Sequence, residues 1–492
     1  MRTAQLCITV MGKDVVAMRQ ARDAAEADAD LVELRLDAMS SPDPEAALAG
    51  RRKPAIVTCR PLREGGLFDG NEEDRLRILQ RAQSLGAEFV DVEWDVRHQP
   101  FVDARGGRGV IVSRHDFEGI PADVAGVLAH LRAAGGEVAK LAVMVERASD
   151  LHALLAQARF DGSSVLIGMG QAGLATRVLA ERFGSRWTYA GDGLAPGQVA
   201  ASRLLDEFRF RRIAADASVY GLLGRPVVNS LSPAMHNAGF AAAGVNAVYV
   251  PLESRDLDGF RAFAEQIGMQ GASVTIPFKR DVLPLLDDVA PAAAAAGAVN
   301  TIAVRNGRWI GMNTDADGFL EPLKKRMPQL TGMRAVILGA GGAARGVGLA
   351  LIGEGAQVTI AARRSDAART VARAIGAGES AWPPRAGSWD LLINATPVGS
   401  RSVAGAPFNG PFDGRLVYDL VYDPDPTELM RAAGHAGCST IGGLEMLVAQ
   451  AERQFQIWTG QRPAEGLFEE AADRARANRR SYGVVGVHRG HA

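Results

Sequence analysis

One pattern repeats eight times in the first 210 or so residues: a short apolar run, a polar turn, then an Ala- and Arg-rich segment with helical spacing. The apolar runs fall near 6–10, 31–35, 55–59, 89–93, 110–113, 137–143, 164–168 and 187–190. Strands separated by helices must run parallel, and eight such units at this length are those of a (β/α)8 barrel. The chemistry of that fold sits at the C-terminal strand ends. Here those ends carry Glu33 and Arg35, Arg60, Glu93, His115, Lys140 and Met169. The barrel is expected over 1–212, closed by Arg209-Phe-Arg-Arg212 as a helix end and short linker. A second α/β unit is expected over 218–322, completed by a helical segment at 438–475, and a third over 323–437. The whole chain therefore reads as α/β, and 56 glycines in 492 residues suit its many tight turns.

Composition narrows the function. Fifty-five basic against 56 acidic residues leave a net charge of −1, which gives no electrostatic reason to expect nucleic acid or an anionic membrane as partner. No apolar run approaches the ~20 residues of a membrane span, and Leu6 to Met11 is too short for a signal core. Cys7, Cys59 and Cys438 form no CxxC, which fits a reducing cytoplasm, and the eight histidines show no metal-ligand spacing. No metal and no obligate protein partner is expected. The tail from Arg474 holds five arginines and no acid and reads as a partly ordered end, with His488 and His491 solvated. Only six basic residues are lysine: Lys13, Lys53, Lys140, Lys279, Lys324 and Lys325. Where charge alone matters this chain uses arginine, so a lysine inside an apolar run is retained for amine chemistry. Lys140 in Val-Ala-Lys-Leu-Ala-Val and Lys279 in Thr-Ile-Pro-Phe-Lys fit that description.

The third unit opens with Ala335-Val-Ile-Leu-Gly-Ala-Gly-Gly-Ala-Ala-Arg345, a strand running into Gly-x-Gly-x-x-Ala and a helix. Gly339, Ala340, Gly341, Gly342 and Ala343 would cradle a pyrophosphate on the helix N-terminus. The next strand ends in Ala361-Ala-Arg-Arg364, where an acidic residue would select NAD. Arg363 and Arg364 suit a 2′-phosphate, and so NADP(H). Asn394-Ala-Thr-Pro, with Thr396, would line the nicotinamide side, and Gly443 is placed at the same cofactor site.

Two resemblances rest on these residues. Residues 1–200 resemble type I 3-dehydroquinate dehydratase through Val32-Glu-Leu-Arg-Leu-Asp37, Thr58-Cys-Arg60 with Glu64-Gly-Gly66, Asp91-Val-Glu93, Ser113-Arg-His-Asp-Phe117, Lys140, Met169 with Arg177, and Ala195-Pro-Gly-Gln198. The resemblance implies a Schiff-base lysine at Lys140, a general acid/base at His115, and Glu64 holding that imidazole. Glu33, Arg35, Arg60, Arg177 and Gln198 would grip the substrate. The run departs from the family at Leu194, where a serine is common. Residues 218–475 resemble shikimate dehydrogenase through Tyr220 to His236, Val274-Thr-Ile-Pro-Phe-Lys279, Gly297-Ala-Val-Asn-Thr301, Gly311-Met-Asn-Thr-Asp315, Tyr418-Asp-Leu-Val-Tyr422 and Gly442 to Gln450. By that resemblance Lys279 and Asp315 are the catalytic pair, and Ser230, Ser232, Thr275, Asn300, Tyr422 and Gln450 bind shikimate. Arg363 matches the family's Asn-Arg-Thr phosphate clamp, with Ala362 and Arg364 replacing its flanks.

Together the halves look like a fused dehydratase and dehydrogenase of the shikimate pathway, a cytoplasmic enzyme acting on 3-dehydroquinate and then 3-dehydroshikimate. A lysine imine is an electron sink that acidifies the neighbouring C–H, and an imidazole can move that proton. Ketone reduction needs a group that meets the developing oxyanion, which a Lys–Asp pair supplies. Burial in an apolar strand is expected to keep some of the Lys140 amine neutral. A class I aldolase would share the lysine but not explain Glu64 with Ser113-Arg-His. A quinate/shikimate dehydrogenase fusion and a non-catalytic metabolite sensor built on the same domains are the alternatives; the sensor would have lost catalytic residues that this chain keeps.

Overall fold

The computed structural model describes residues 4–191, 193 and 195–482; Leu194, His488 and His491 lie outside them. Eight parallel strands, β1 (Gln5–Val10), β2 (Leu31–Arg35), β3 (Ala55–Thr58), β4 (Phe89–Glu93), β5 (Val110–Asp116), β6 (Val138–Met144), β7 (Ser164–Met169) and β8 (Trp187–Ala190), follow one another around a barrel. β8 pairs with β1. The seam between β7 and β8 has no strand ladder among the described residues. The Ser185 hydroxyl accepts from Leu166 N there at 2.9 Å, and Arg186 N donates to Ser164 O at 2.9 Å. The barrel is thus nearly closed.

The period-2 alternation of each strand sorts its side chains. Val32, Leu34, Val57, Val90, Val92, Val112 and Leu141 face outward into the helix-covered core. Cys7, Leu31, Ile56, Phe89, Ile111, Val138, Val165 and Trp187 fill the interior near the strand starts, with Phe89 and Trp187 ring centroids 5.2 Å apart. Two residues on, the same inward register carries Thr9, Glu33, Thr58, Asp91, Ser113 and Lys140, all buried. Polar side chains therefore form a layer above an apolar plug. Asp14, Asp43, Asn71 and Asp123 cap the barrel helices that follow, each accepting from a backbone N–H of the first turn. The expected linker is more tightly held than a solvated arginine run. Phe210 is buried, and Arg211 pairs with Asp30 at 2.7 Å.

The second unit is a mixed sheet of β9 (Ser218–Gly224), β10 (Ala247–Glu253), β11 (Met269–Val274), β12 (Asp288–Val289), β13 (Thr301–Arg305) and β14 (Arg308–Met312) in the order β10-β9-β11-β13-β14-β12. The β13–β14 hairpin turns at Asn306-Gly307, both at positive φ (52° and 75°), the conformation a two-residue turn requires. The third unit is wholly parallel: β15 (Arg334–Leu338), β16 (Gln357–Ala361), β17 (Gly378–Glu379), β18 (Leu391–Asn394), β19 (Leu416–Asp419) and β20 (Ser439–Ile441), ordered β17-β16-β15-β18-β19-β20. This is the dinucleotide-binding order, with its switch point between β15 and β18.

Two expected boundaries move. β20 pairs with β19, so the third unit runs through 441 and not 437. The helix Asp315–Arg326 spans the expected 322/323 boundary, and its Phe319 stacks on Tyr418 of the third unit at 4.7 Å. One amphipathic helix serves both cores, which a division by sequence pattern cannot express. The helices Gly443–Thr459 and Leu467–Tyr482 return to the second unit. There Trp458 Nε1 donates to Ile302 O at 2.9 Å and Gln454 Nε2 to Asn300 O at 3.1 Å. The barrel packs directly on this unit: Arg182 donates to carbonyls of Ile267, Ala215 and Ala217, and Arg255 pairs with Glu146 at 2.5 Å.

Candidate active sites

At the C-terminal mouth of the barrel a cavity of about 120 Å³ is lined by Glu33, Arg35, Arg60, Glu64, His115, Lys140, Met169, Arg177 and Gln198. The dehydratase residues expected from sequence, Glu93 excepted, thus meet in one place. Lys140 Nζ lies 2.9 Å from Asp91 and 3.8 Å from Glu33, with the Tyr189 ring centroid at 4.5 Å. The expected apolar setting of this lysine is corrected here. Its chain neighbours Ala139 and Leu141 pack into the apolar core outside the barrel, and β4 and β2 present the carboxylates of Asp91 and Glu33 to the amine across the barrel interior. Glu33 is oriented by the hydroxyls of Thr9 and Thr58, each donating at 2.8 Å. Asp91 was not among the expected site residues, though it shares the inward register of Phe89 and Glu93. Burial alone would raise its pKa, but Arg60 and Lys140 outweigh that and hold it well below the usual range. Ser113 donates to it at 2.5 Å.

His115 Nδ1 stands 2.9 Å from Glu64 Oε2. Glu64 rides on a turn ended by Gly65 at φ +73°, where a Cβ would meet the Phe117 ring at 2.4 Å. Burial pushes the Glu64 carboxyl up to about 8, against the pull of Arg60, and burial with Arg60 and Lys140 holds the imidazole well below its ordinary range. Both groups are driven toward their uncharged forms. The tautomer with its proton on Nδ1 leaves Nε2 free as a base. Arg35 is tied to Asp37 (2.7 and 2.8 Å), and Arg60 to Asp91 and Glu93 (2.8 and 2.7 Å). Glu93 lies behind the cavity as the anchor of Arg60. Arg177 differs: it is 2% exposed and faces no carboxylate among the described residues, Nε has no acceptor, and burial pushes its pKa down to about 10.

A second cavity, of about 370 Å³, opens between the other two units. Ser230, Ser232, Thr275, Lys279, Asn300, Asp315, Tyr422, Gly443 and Gln450 line it, so the residues named from separate motifs again converge. Lys279 Nζ contacts Asp315 Oδ2 at 2.5 Å. Asn300 Nδ2 donates to Asp315 Oδ1 at 2.8 Å, and Asn313 Oδ1 accepts from Asp315 N at 2.9 Å. Asp315 is the first residue of its helix, where the dipole favours an anion.

The Gly339–Ala343 turn joins β15 to the helix Gly342–Gly353. Gly339 has φ +114°, and a Cβ there would press on Ala395 O at 3.0 Å. Cβ atoms at Gly341 and Gly342 would project into open space, the cradle that a pyrophosphate needs, and the first helical turn carries no acid. Arg363 and Arg364 are exposed at the end of β16 with no ion pair among the described residues. Thr396 is occupied within its own turn, its hydroxyl donating to Asn394 Oδ1 at 2.7 Å. At Gly443 a Cβ would lie 2.3 Å from Leu420 O, so this glycine permits close packing beside the second cavity. The geometry fits a dinucleotide carrying a 2′-phosphate.

Comparison with known proteins agrees with the geometry. Residues 6–214 match the type I 3-dehydroquinase family, 222–302 the shikimate dehydrogenase substrate-binding domain, and 443–472 the shikimate 5′-dehydrogenase C-terminal domain. The chain is 33% identical to the bifunctional 3-dehydroquinate dehydratase/shikimate dehydrogenase, chloroplastic, of Arabidopsis thaliana, over 92% of this chain and 82% of the plant protein. It is 37% identical to the shikimate dehydrogenase (NADP(+)) of Carboxydothermus hydrogenoformans over 53% of this chain and 98% of that one. A crystal structure of a shikimate dehydrogenase in complex with NADP+ superposes with a TM-score of 0.51 at 34% identity, covering 53% of this chain and 96% of that one. A barrel with a lysine–histidine cavity, followed by a two-unit dehydrogenase in one polypeptide, places the chain in the family of bifunctional 3-dehydroquinate dehydratase/shikimate dehydrogenases.

Proposed function

We infer that the two cavities perform consecutive steps of the shikimate pathway. The chain is a bifunctional enzyme, a lyase that converts 3-dehydroquinate to 3-dehydroshikimate and an oxidoreductase that reduces the product to shikimate. In the barrel, Lys140 condenses with the substrate ketone and the carbonyl oxygen leaves as water. The resulting iminium carries one positive charge, as the ammonium did, so Asp91 and Glu33 balance both states. His115 Nε2 removes the α-proton while Nδ1–H donates to Glu64. The enamine then expels the β-hydroxyl, which the imidazolium protonates, and hydrolysis of the imine frees Lys140. Arg177 holds the substrate carboxylate, and Glu33, Arg35, Arg60 and Gln198 hold its hydroxyl face.

In the second site, the Gly339–Ala343 turn would hold NADPH, which would supply the hydride when bound, and Arg363 and Arg364 would hold its 2′-phosphate. Ser230, Ser232, Thr275, Asn300, Tyr422 and Gln450 orient 3-dehydroshikimate. Lys279 meets the developing oxyanion and delivers a proton, and Asp315 holds the ammonium in place. The observation that carries the dehydratase assignment is the meeting of Lys140, the His115–Glu64 pair and an unbalanced Arg177 in one cavity. Borohydride added with 3-dehydroquinate should leave a mass adduct on the Lys140 peptide, and Lys140→Arg should lose roughly 10³-fold or more in dehydratase kcat. An unlabelled peptide, or an active Lys140→Arg enzyme, overturns it. With NADPH present, wild type should convert 3-dehydroquinate through to shikimate.

A further inference from the structure

Three consecutive backbone carbonyls of the dehydrogenase cavity are gripped from outside it. Arg203, on the short helical segment Arg203–Glu207 of the barrel half, donates to Val228 O at 3.1 Å. Arg479, on the helix Leu467–Tyr482, donates to Asn229 O at 2.6 Å and Ser230 O at 2.9 Å. Both guanidiniums converge on one carboxylate, Glu207 of the barrel. Arg203 reaches its two oxygens at 3.2 and 3.3 Å, and Arg479 at 3.1 and 3.3 Å. Only 8% of the Glu207 side chain is exposed, so the arrangement is not a solvated surface pair. Val228, Asn229 and Ser230 line the cavity that holds Lys279 and Asp315, and the Ser230 hydroxyl lies 3.2 Å from that of Ser232.

We propose that Glu207, a residue of the dehydratase half, is a positioning residue for the dehydrogenase: through Arg203 and Arg479 it fixes the Val228–Ser230 loop and thereby aims the two serine hydroxyls at the substrate. A turn whose carbonyls face solvent samples several conformations, and binding must then select one. A loop held by charge-assisted hydrogen bonds has been ordered before substrate arrives. Each arginine alone would have its own rotamer freedom; the shared carboxylate locks both forks at once. The Gly339–Ala343 turn does not line the cavity that holds Lys279 and Asp315, and neither does Glu207. Its loss should therefore weaken substrate binding and spare the other steps.

This rests on the reading that Ser230 contacts shikimate, so the test includes that residue. Glu207→Gln in the full chain keeps the shape and removes the charge. The KM for shikimate should rise about tenfold, with dehydrogenase kcat within threefold, the KM for NADP+ unchanged and dehydratase kcat/KM unchanged. Glu207→Asp should recover part of the loss. Arg479→Gln should raise the same KM, and the double variant should be little worse than either single one, because the residues act as a unit. Ser230→Ala is measured beside them. If it leaves the KM for shikimate unaltered, the assignment of Ser230 fails. If Ser230→Ala raises that KM but neither Glu207→Gln nor Arg479→Gln does, the positioning role is wrong. Equal losses in all four parameters would mean a structural role only and would also overturn the proposal. Should Glu207→Gln not fold, as its dehydratase activity would report, Arg479→Gln decides by the same criteria.

Discussion

Arg177 is the point where binding and stability oppose each other most directly. Its guanidinium is 2% exposed, and among the described residues its Nε lacks an acceptor and it donates a single long hydrogen bond, 3.4 Å to Tyr189 O. A pKa pushed by burial from the ordinary arginine range down to about 10 corresponds to roughly 3 kcal/mol of uncompensated burial at ~1.4 kcal/mol per tenfold change in proton affinity. The sign follows from linkage. A folded-state pKa below the unfolded one means that the charged form opposes folding wherever it is protonated, hence at every pH below about 10. Arg177→Met removes the charge and keeps most of the length. We expect the unliganded barrel to gain about 1–3 kcal/mol, a Tm several degrees higher at any pH from 6 to 9. Dehydratase kcat/KM should fall about 10²–10⁴-fold, chiefly through KM, because a buried charge-assisted pair with the substrate carboxylate is lost. The assay pairs steady-state dehydration with thermal melts in the presence and absence of 3-dehydroshikimate. Ligand should stabilise wild type and not the variant. A variant that is less stable than wild type yet still stabilised by ligand would refute the argument.

Three further outcomes are expected. Replacing Arg363 and Arg364 by Ala should raise the KM for NADPH far more than that for NADH; equal kcat/KM for the two cofactors in wild type would contradict the 2′-phosphate reading. Lys279→Ala should abolish dehydrogenase turnover and leave dehydration near normal, as assays of each half-reaction will show, since no atom of the barrel cavity depends on it. Burial and the carboxylates of Glu469 and Glu321 push Glu452 up to about 7, so its ionisation opposes folding as pH rises from 4.5 toward 7, and Glu452→Gln should stabilise by about 1 kcal/mol at pH 8 and little at pH 5 in thermal melts.

The barrel was legible because its strands obey a two-residue alternation and its turns interrupt them regularly. The lysine content pointed at Lys140 and Lys279 for a chemical reason, that a guanidinium cannot do the chemistry of an amine. What stayed hidden is what lies between strands. Asp91 sits 49 residues from Lys140, and only the register of β4, β5 and β6 brings its carboxylate to the amine. Tyr189 and Ser113 enter the same way. The arrival of Arg479 on the local Arg203–Glu207 pair was equally invisible, since it joins residues 272 apart. The third unit's boundaries shifted because β20 is only three residues long and the helix Asp315–Arg326 belongs to two cores.

The two sites solve the same electrostatic problem in opposite ways. In the barrel, Lys140, Arg60 and Arg35 are each matched by a carboxylate at 2.7–2.9 Å in nearly dry surroundings. That layer is neutralised in advance, and among the described residues Arg177 is the cation of the cavity that has no carboxylate partner; on the proposed reading it receives the substrate carboxylate and so sets the orientation of the ketone over Lys140. Buried pairs of this kind are costly to break, which keeps the layer fixed while the imine forms and hydrolyses. The Lys279–Asp315 pair is instead about 30% exposed at both side chains. An ion pair so open to water contributes ~0–1 kcal/mol. Lys279 can therefore exchange part of its contact with Asp315 for the substrate oxygen at small cost, which is what a group that must deliver a proton and be reprotonated requires. A dry, rigid cavity suits covalent chemistry on the protein, and a wetter one suits proton relay, and each follows from where the fold puts its lysine.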